Sequence, residues 1–190
     1  MPARHTHSFL LDERGSPTFR SAFVDLARKS NRIDTALSRI RLAGLDLERA
    51  ELRSVRHIRL VLGEVNARTL RSEAEALSTD ATRARQLRFL VLRLLRGSIE
   101  VRASPLSGWT PDFSVFRGDE GAAALIGHHW FQHPYPFRGP AFGTIHSGLD
   151  AARVAIRFEG LWATAHDIGP ALRSVLGPVF ASAAHPLLAP

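Results

Sequence analysis

The sequence has no cysteine, one methionine and a single lysine, Lys29. Without cysteine it has no disulfides, no thiolate nucleophile and no cysteine-ligated zinc. No apolar run approaches the roughly 20 residues that a membrane-spanning helix needs. The opening segment, Met1-Pro-Ala-Arg-His-Thr-His-Ser8, carries one basic residue and no apolar core, so it does not read as a secretory signal. A cytoplasmic address with no membrane partner is the expectation. What is abundant is arginine. The chain holds 25 basic residues against 18 acidic ones, all but Lys29 arginine, for a net charge of +7 over 190 residues. Arginine stays ionised and presents a planar fork suited to phosphate oxygens, so the excess favours a polyanionic partner.

The length suits one good core. Residues 1–10 read as a flexible tail, 11–184 as one α/β domain and 185–190 as a second tail. Ser16-Pro17 has the form of a helix start, with the helix running to about Lys29. Ile33, Thr35 and Leu37 alternate along a strand within residues 31–40, and a short helix is expected from Gly44 to about Leu52. His57-Ile-Arg-Leu-Val-Leu-Gly63 reads as a buried strand. Residues 67–77 and 80–96 read as helices. In the second, Leu87, Leu90, Val91, Leu94 and Leu95 form an apolar stripe that Gly97 ends. Strands at 99–103, 112–117, 122–127 and 141–146 follow, the middle two as a hairpin, with a proline-rich loop over 131–140. Helices are expected over 149–166 and 168–184, the latter interrupted at Gly177-Pro178. The order predicts a mixed, mostly parallel sheet with helices on both faces.

Several segments carry a resemblance when taken together. Arg32-Ile-Asp-Thr-Ala-Leu-Ser-Arg-Ile-Arg-Leu-Ala-Gly44 resembles the early strand and glycine turn of bacterial phospholipase D-like domains, and residues 57–63 are similar to their second strand. Ile99-Glu-Val-Arg102 resembles the strand before their catalytic motif. Ala122-Ala-Ala-Leu-Ile-Gly127 resembles the segment entering their glycine-serine-x-asparagine turn, and Arg157-Phe-Glu-Gly-Leu-Trp162 their closing helix. The match covers roughly residues 20–168 and implies one half of a phospholipase D-like phosphodiesterase or nuclease. Such halves pair, so it implies a homodimer or a partner carrying a complete motif. The family's H-x-K-x4-D motif supplies a histidine that attacks phosphorus and a lysine that neutralises the phosphoryl oxygens. Here the histidine position falls on Thr110 and the lysine position on Asp112, and the turn reads Gly127-His128-His129-Trp130. A carboxylate at Asp112 would repel a phosphodiester. The motif is degenerate, and the expectation leans away from an enzyme.

His128, His129 and His146 form an alternative cluster for phosphotransfer. Against it, neighbours on a strand point to opposite faces, which favours structural or solvent-facing histidines. No cofactor and no metal site is expected, since no H-E-x-x-H motif is present. Arg85, Arg88, Arg93 and Arg96 lie opposite the leucine stripe of their helix, within roughly 140° of arc at about 100° per residue. Together with Arg56, Arg59, Arg138 and the stacking candidate Trp109, they are the expected nucleic-acid contacts, DNA ahead of RNA. The alternatives are an interaction subunit for a catalytically complete partner, and a phosphodiesterase with a rearranged histidine site.

Overall fold

A computed structural model describes residues 8–12, 19–42, 52–105, 112–127 and 142–184. Its elements run β1 (Ser8–Asp12), α1 (Phe19–Arg28), β2 (Arg32–Arg39), β3 (His57–Glu64), α2 (Ala67–Ser78), α3 (Ala81–Leu95), β4 (Ile99–Ala103), β5 (Phe113–Gly118), β6 (Gly121–Gly127), β7 (Phe142–Ser147), α4 (Gly148–Thr164), β8 (His166–Asp167) and α5 (Gly169–Ala184). The strands form one sheet in the order β1-β7-β6-β5-β2-β3-β4-β8. The sheet is mixed, as expected, but its parallel part is confined to β2-β3-β4. The other five pairings are antiparallel, and of these only β5–β6 and β6–β7 join strands consecutive in sequence.

Helices cover both faces, unequally. The larger core packs α1, α2, α3 and α5 on Ile33 and Leu37 of β2, Ile58, Leu60 and Leu62 of β3, and Phe116 of β5. Phe23 of α1 meets Phe116 edge-on at 5.2 Å. On the opposite face α4, the one helix there among the described residues, packs Phe158, Leu161 and Trp162 over Ala36, Val61, Phe113 and Val115. Strands buried on both faces read as nearly continuous apolar runs, which is the pattern of residues 57–63.

Local sequence accounts for most boundaries. Asn66 caps α2 by accepting from the Thr69 N–H at 3.1 Å, and Asp80 caps α3 by accepting from Arg83 N–H at 2.9 Å. At the other end of α3, Gly97 takes φ 68°, the Gly97 N–H reaches the Leu94 carbonyl and the Ser98 N–H reaches that of Arg93. This is the paired closing of a Schellman turn, and it turns the chain into β4. Gly118 ends β5 where a Cβ would overlap the Lys29 carbonyl oxygen, so only glycine lets the strand end pass the α1–β2 loop.

Four expectations need correction. The tail read over residues 1–10 gives way at Ser8, since β1 pairs with β7 along Ser8–Asp12. Strand β8, two residues long on the β4 edge, was not anticipated. Helix α5 continues through Pro178 instead of breaking there. Leu95, counted in the apolar stripe, is 61% exposed, whereas Leu87, Leu90, Val91 and Leu94 are buried. The short helix expected over 44–52 and the proline-rich loop over 131–140 lie outside the described residues, apart from Leu52, which is buried.

Candidate functional site

The carboxyl ends of the parallel strands β2 and β3 lie at one end of the sheet, and Asp112, the residue expected at the lysine position, stands there. Asp112 sits just before β5, beside the end of β2. Its carboxylate accepts the Ser38 N–H at 2.7 Å, and its carbonyl accepts the Gly127 N–H at 3.0 Å. Asp112 thus ties β2, β5 and β6 together. Gly127 takes φ 137° and pairs with Gly143 of β7. Thr110, His128 and His129 lie outside the described residues. His146 stands three positions along β7 from Gly143, about 10 Å at strand rise. It is half-buried, with Nε2 2.7 Å from the Thr144 hydroxyl. His146 is therefore not gathered with Asp112. Among the described residues no group of three or more histidine or acidic side chains could hold a metal ion.

The structure splits the expected arginine face. Arg85, Arg88 and Arg96 are exposed on α3 and Arg56 is exposed on the loop before β3. Arg93 is not a surface cation. It is 8% exposed and donates to the carbonyls of Val55 at 2.9 Å and Arg56 at 3.2 Å, and to Ser98 Oγ at 3.2 Å. Burial lowers its pKa from the ordinary arginine value. Arg59 is likewise withdrawn from the surface, at 7% exposed. Trp109 and Arg138 lie outside the described residues.

Arg59 belongs to a charge network that sequence reading missed. Asp34, fully buried on β2, accepts from Arg59 Nε at 2.8 Å and Nη2 at 3.0 Å, from Arg32 Nε at 2.8 Å and from Arg117 Nε at 2.7 Å. Glu159 of α4 accepts from Arg59 Nη2 at 2.6 Å and Arg117 Nη2 at 2.9 Å. The Arg59 guanidinium carbon also lies 4.7 Å from the Phe158 ring centre and 4.8 Å from that of Trp162. Burial pushes the Asp34 carboxyl upward, but the hydrogen bonds from Arg59, Arg32 and Arg117 outweigh it and hold the pKa below the usual aspartate value. Glu159 is lowered chiefly by its hydrogen bond from Arg59. The same two carboxylates raise Arg59 against the opposing effect of its burial. The network anchors α4 to β2, β3 and β5. One signal was available in the sequence: Arg59 interrupts the apolar run Ile58–Leu62 of β3.

Three solved structures superpose on this chain, two of them with TM-scores above 0.5. Phosphatidylserine synthase from Haemophilus influenzae Rd KW20 superposes with a TM-score of 0.53 at 9% identity, over 96% of this chain and 47% of that one. NucT from Helicobacter pylori gives 0.51 at 7% identity, over 86% and 99%. Nuc from Salmonella typhimurium, a phospholipase D family member, gives 0.49 at 11%, over 86% and 98%. The fold is phospholipase D-like. At these identities the likeness is one of fold alone. This chain spans about half the length of the synthase. No family model matches the sequence, and no curated protein matches it either. Within this phospholipase D-like fold, the position that the motif spacing gives to lysine holds a carboxylate already spent on a backbone N–H. No helix among the described residues is long and apolar enough to cross a membrane.

Proposed function

We propose that this chain acts as one non-catalytic phospholipase D-like domain, from β1 through α5, that binds nucleic acid, DNA ahead of RNA, through exposed arginines. The observation that carries this reading is the state of Asp112. A lysine at that position would neutralise phosphoryl oxygens, whereas this carboxylate holds the end of β2 to β5 and offers a phosphodiester only repulsion. The surplus of seven positive charges remains, and with Arg59 and Arg93 turned inward it is carried by exposed arginines, Arg56, Arg85, Arg88 and Arg96 among them. Arg138 and Trp109 are assigned to the same contact set. Phosphate contact of this kind releases counterions and carries little sequence information.

A dimer, or pairing with a partner that carries a complete motif, fits the same scaffold. Leu149 and Ile156, 61% and 72% exposed, lie one heptad apart on the outer side of α4 and favour a protein contact. The cytoplasm is the compartment proposed for both roles.

Fluorescence anisotropy of a labelled duplex tests the binding reading. With about five phosphates contacted, affinity should fall several-hundred-fold between about 50 and 200 mM salt, following a slope near −0.9 per contact. Affinity unchanged over that range would sink it.

A further inference from the structure

The two edges of the parallel strands differ in what they offer a polyanion, and the vacated motif occupies only one of them. At the other, where β2, β3 and β4 begin, three connections converge. The Arg56 N–H donates to the Asn31 carbonyl at 2.7 Å, Ser54 Oγ to the Ala27 carbonyl at 3.1 Å, and the Ile58 N–H to the Ser98 carbonyl at 2.9 Å. Buried Arg93 clips the middle connection from within, through the Val55 and Arg56 carbonyls. The end of α1, the loop before β3 and the end of α3 are thereby held as one surface.

That surface carries Arg28, Lys29, Arg53, Arg56 and Arg96, all exposed. None of the five makes an ion pair among the described residues. Arg28 and Arg96 stand at helix C-termini, where a cation also complements the dipole. Arg56 stands at no helix end among the described residues, so that effect leaves it unexplained. Acids stand nearby without pairing with these cations: Asp25 lies one helical turn before Arg28 and Lys29, Glu100 is engaged by His57 at 2.7 Å, and Asp119 and Glu120 follow Gly118, which abuts the Lys29 carbonyl. Adjacent strands lie about 4.8 Å apart, so the three strand starts span about 10 Å, enough for several consecutive phosphates of one strand.

We infer that this amino-end edge, not the vacated catalytic edge some 23 Å away along β2, is the surface that grips the phosphate backbone. The inference rests on the nucleic-acid reading above and adds Arg28, Lys29 and Arg53 to its contacts. It also accounts for Arg93, whose burial fixes the loop that presents Arg53 and Arg56.

Two triple variants separate the edges: Arg53→Gln, Arg56→Gln and Arg96→Gln at the amino ends, and Arg39→Gln, Arg68→Gln and Arg71→Gln at the carboxyl ends. All six side chains are exposed, and thermal melts check that both proteins remain folded. By duplex anisotropy at about 100 mM salt, the first should bind at least about tenfold more weakly than the parent, with a salt slope shallower by about 2.7. The second should stay within about twofold of the parent. Equal losses in both, or a loss only in the second, overturn the inference while the nucleic-acid reading stands. A parent protein that binds no duplex overturns both.

Discussion

Asp34→Asn should destabilise the protein by about 3–5 kcal/mol, the usual cost of removing one partner from a buried, hydrogen-bonded charge network. Asparagine keeps the volume but loses the charge, and it turns an amide N–H₂ toward guanidinium groups that can only donate. Arg59, almost wholly enclosed, would keep Glu159 as its sole carboxylate, and that residue is half-exposed. For a domain of this size the loss corresponds to a melting point lower by roughly 6–20 °C. The pH dependence has a definite sign. The folded pKa of Asp34 is depressed, so its stabilisation is complete above the unfolded value of about 3.9 and is lost as pH falls through the lower folded value. The parent should therefore exceed the variant by the full margin at neutral pH and converge on it below about pH 4. Urea melts at several pH values measure this. Asp150→Asn serves as the control, since its pair with Arg153 is exposed at 3.3 Å and should be worth no more than about 0.5 kcal/mol. A margin for Asp34→Asn below about 1 kcal/mol would mean the network is incidental to stability.

Phe158→Ala should cost a similar 3–5 kcal/mol. Phe158 is fully buried, meets Phe113 edge-on at 6.4 Å and stacks on Trp162 at 5.9 Å. It also forms part of the apolar wall against which the Arg59 guanidinium rests, so the truncation removes a cation–π contact along with the packing. Among the described residues α4 is alone on its face of the sheet, with no second helix there to close the cavity. Trp162 supplies the readout besides stability, since losing its stacking partner should weaken its near-ultraviolet dichroism. Both substitutions act through Arg59, so the double variant should lose less than the two single losses combined. Strict additivity would show that the ring and the carboxylate do not share that arginine.

Much of this architecture was legible before the structure, and the misses have physical causes. The leucine stripe of α3 and its closing glycine are local signals, and they located that helix to within a residue or two. Strands β2, β3, β4 and the β5–β6 hairpin were equally readable from apolar runs and turns. Strands β1 and β8 sit at the two sheet edges, and β8, at two residues, is too short to show periodicity. Arg93 was placed on the outer arc of α3, but it stands at the border of that arc, about 60° from Leu90 at 100° per residue. From the border its long side chain reaches inward to two carbonyls. The Asp34 network joins residues 25, 83 and 100 positions apart, and no local pattern encodes that convergence. The motif spacing pointed to Asp112, but the bond from Ser38 that fixes its role spans 74 positions.

Mixing the protein with supercoiled plasmid at low salt, followed by electrophoresis, tests the whole account in one gel. A scaffold that grips phosphodiesters without attacking them should retard the plasmid in proportion to protein and release it at higher salt, still supercoiled. Nicked or linear product from clean protein would contradict the non-catalytic reading, and plasmid that migrates unchanged at every protein concentration would contradict the grip itself.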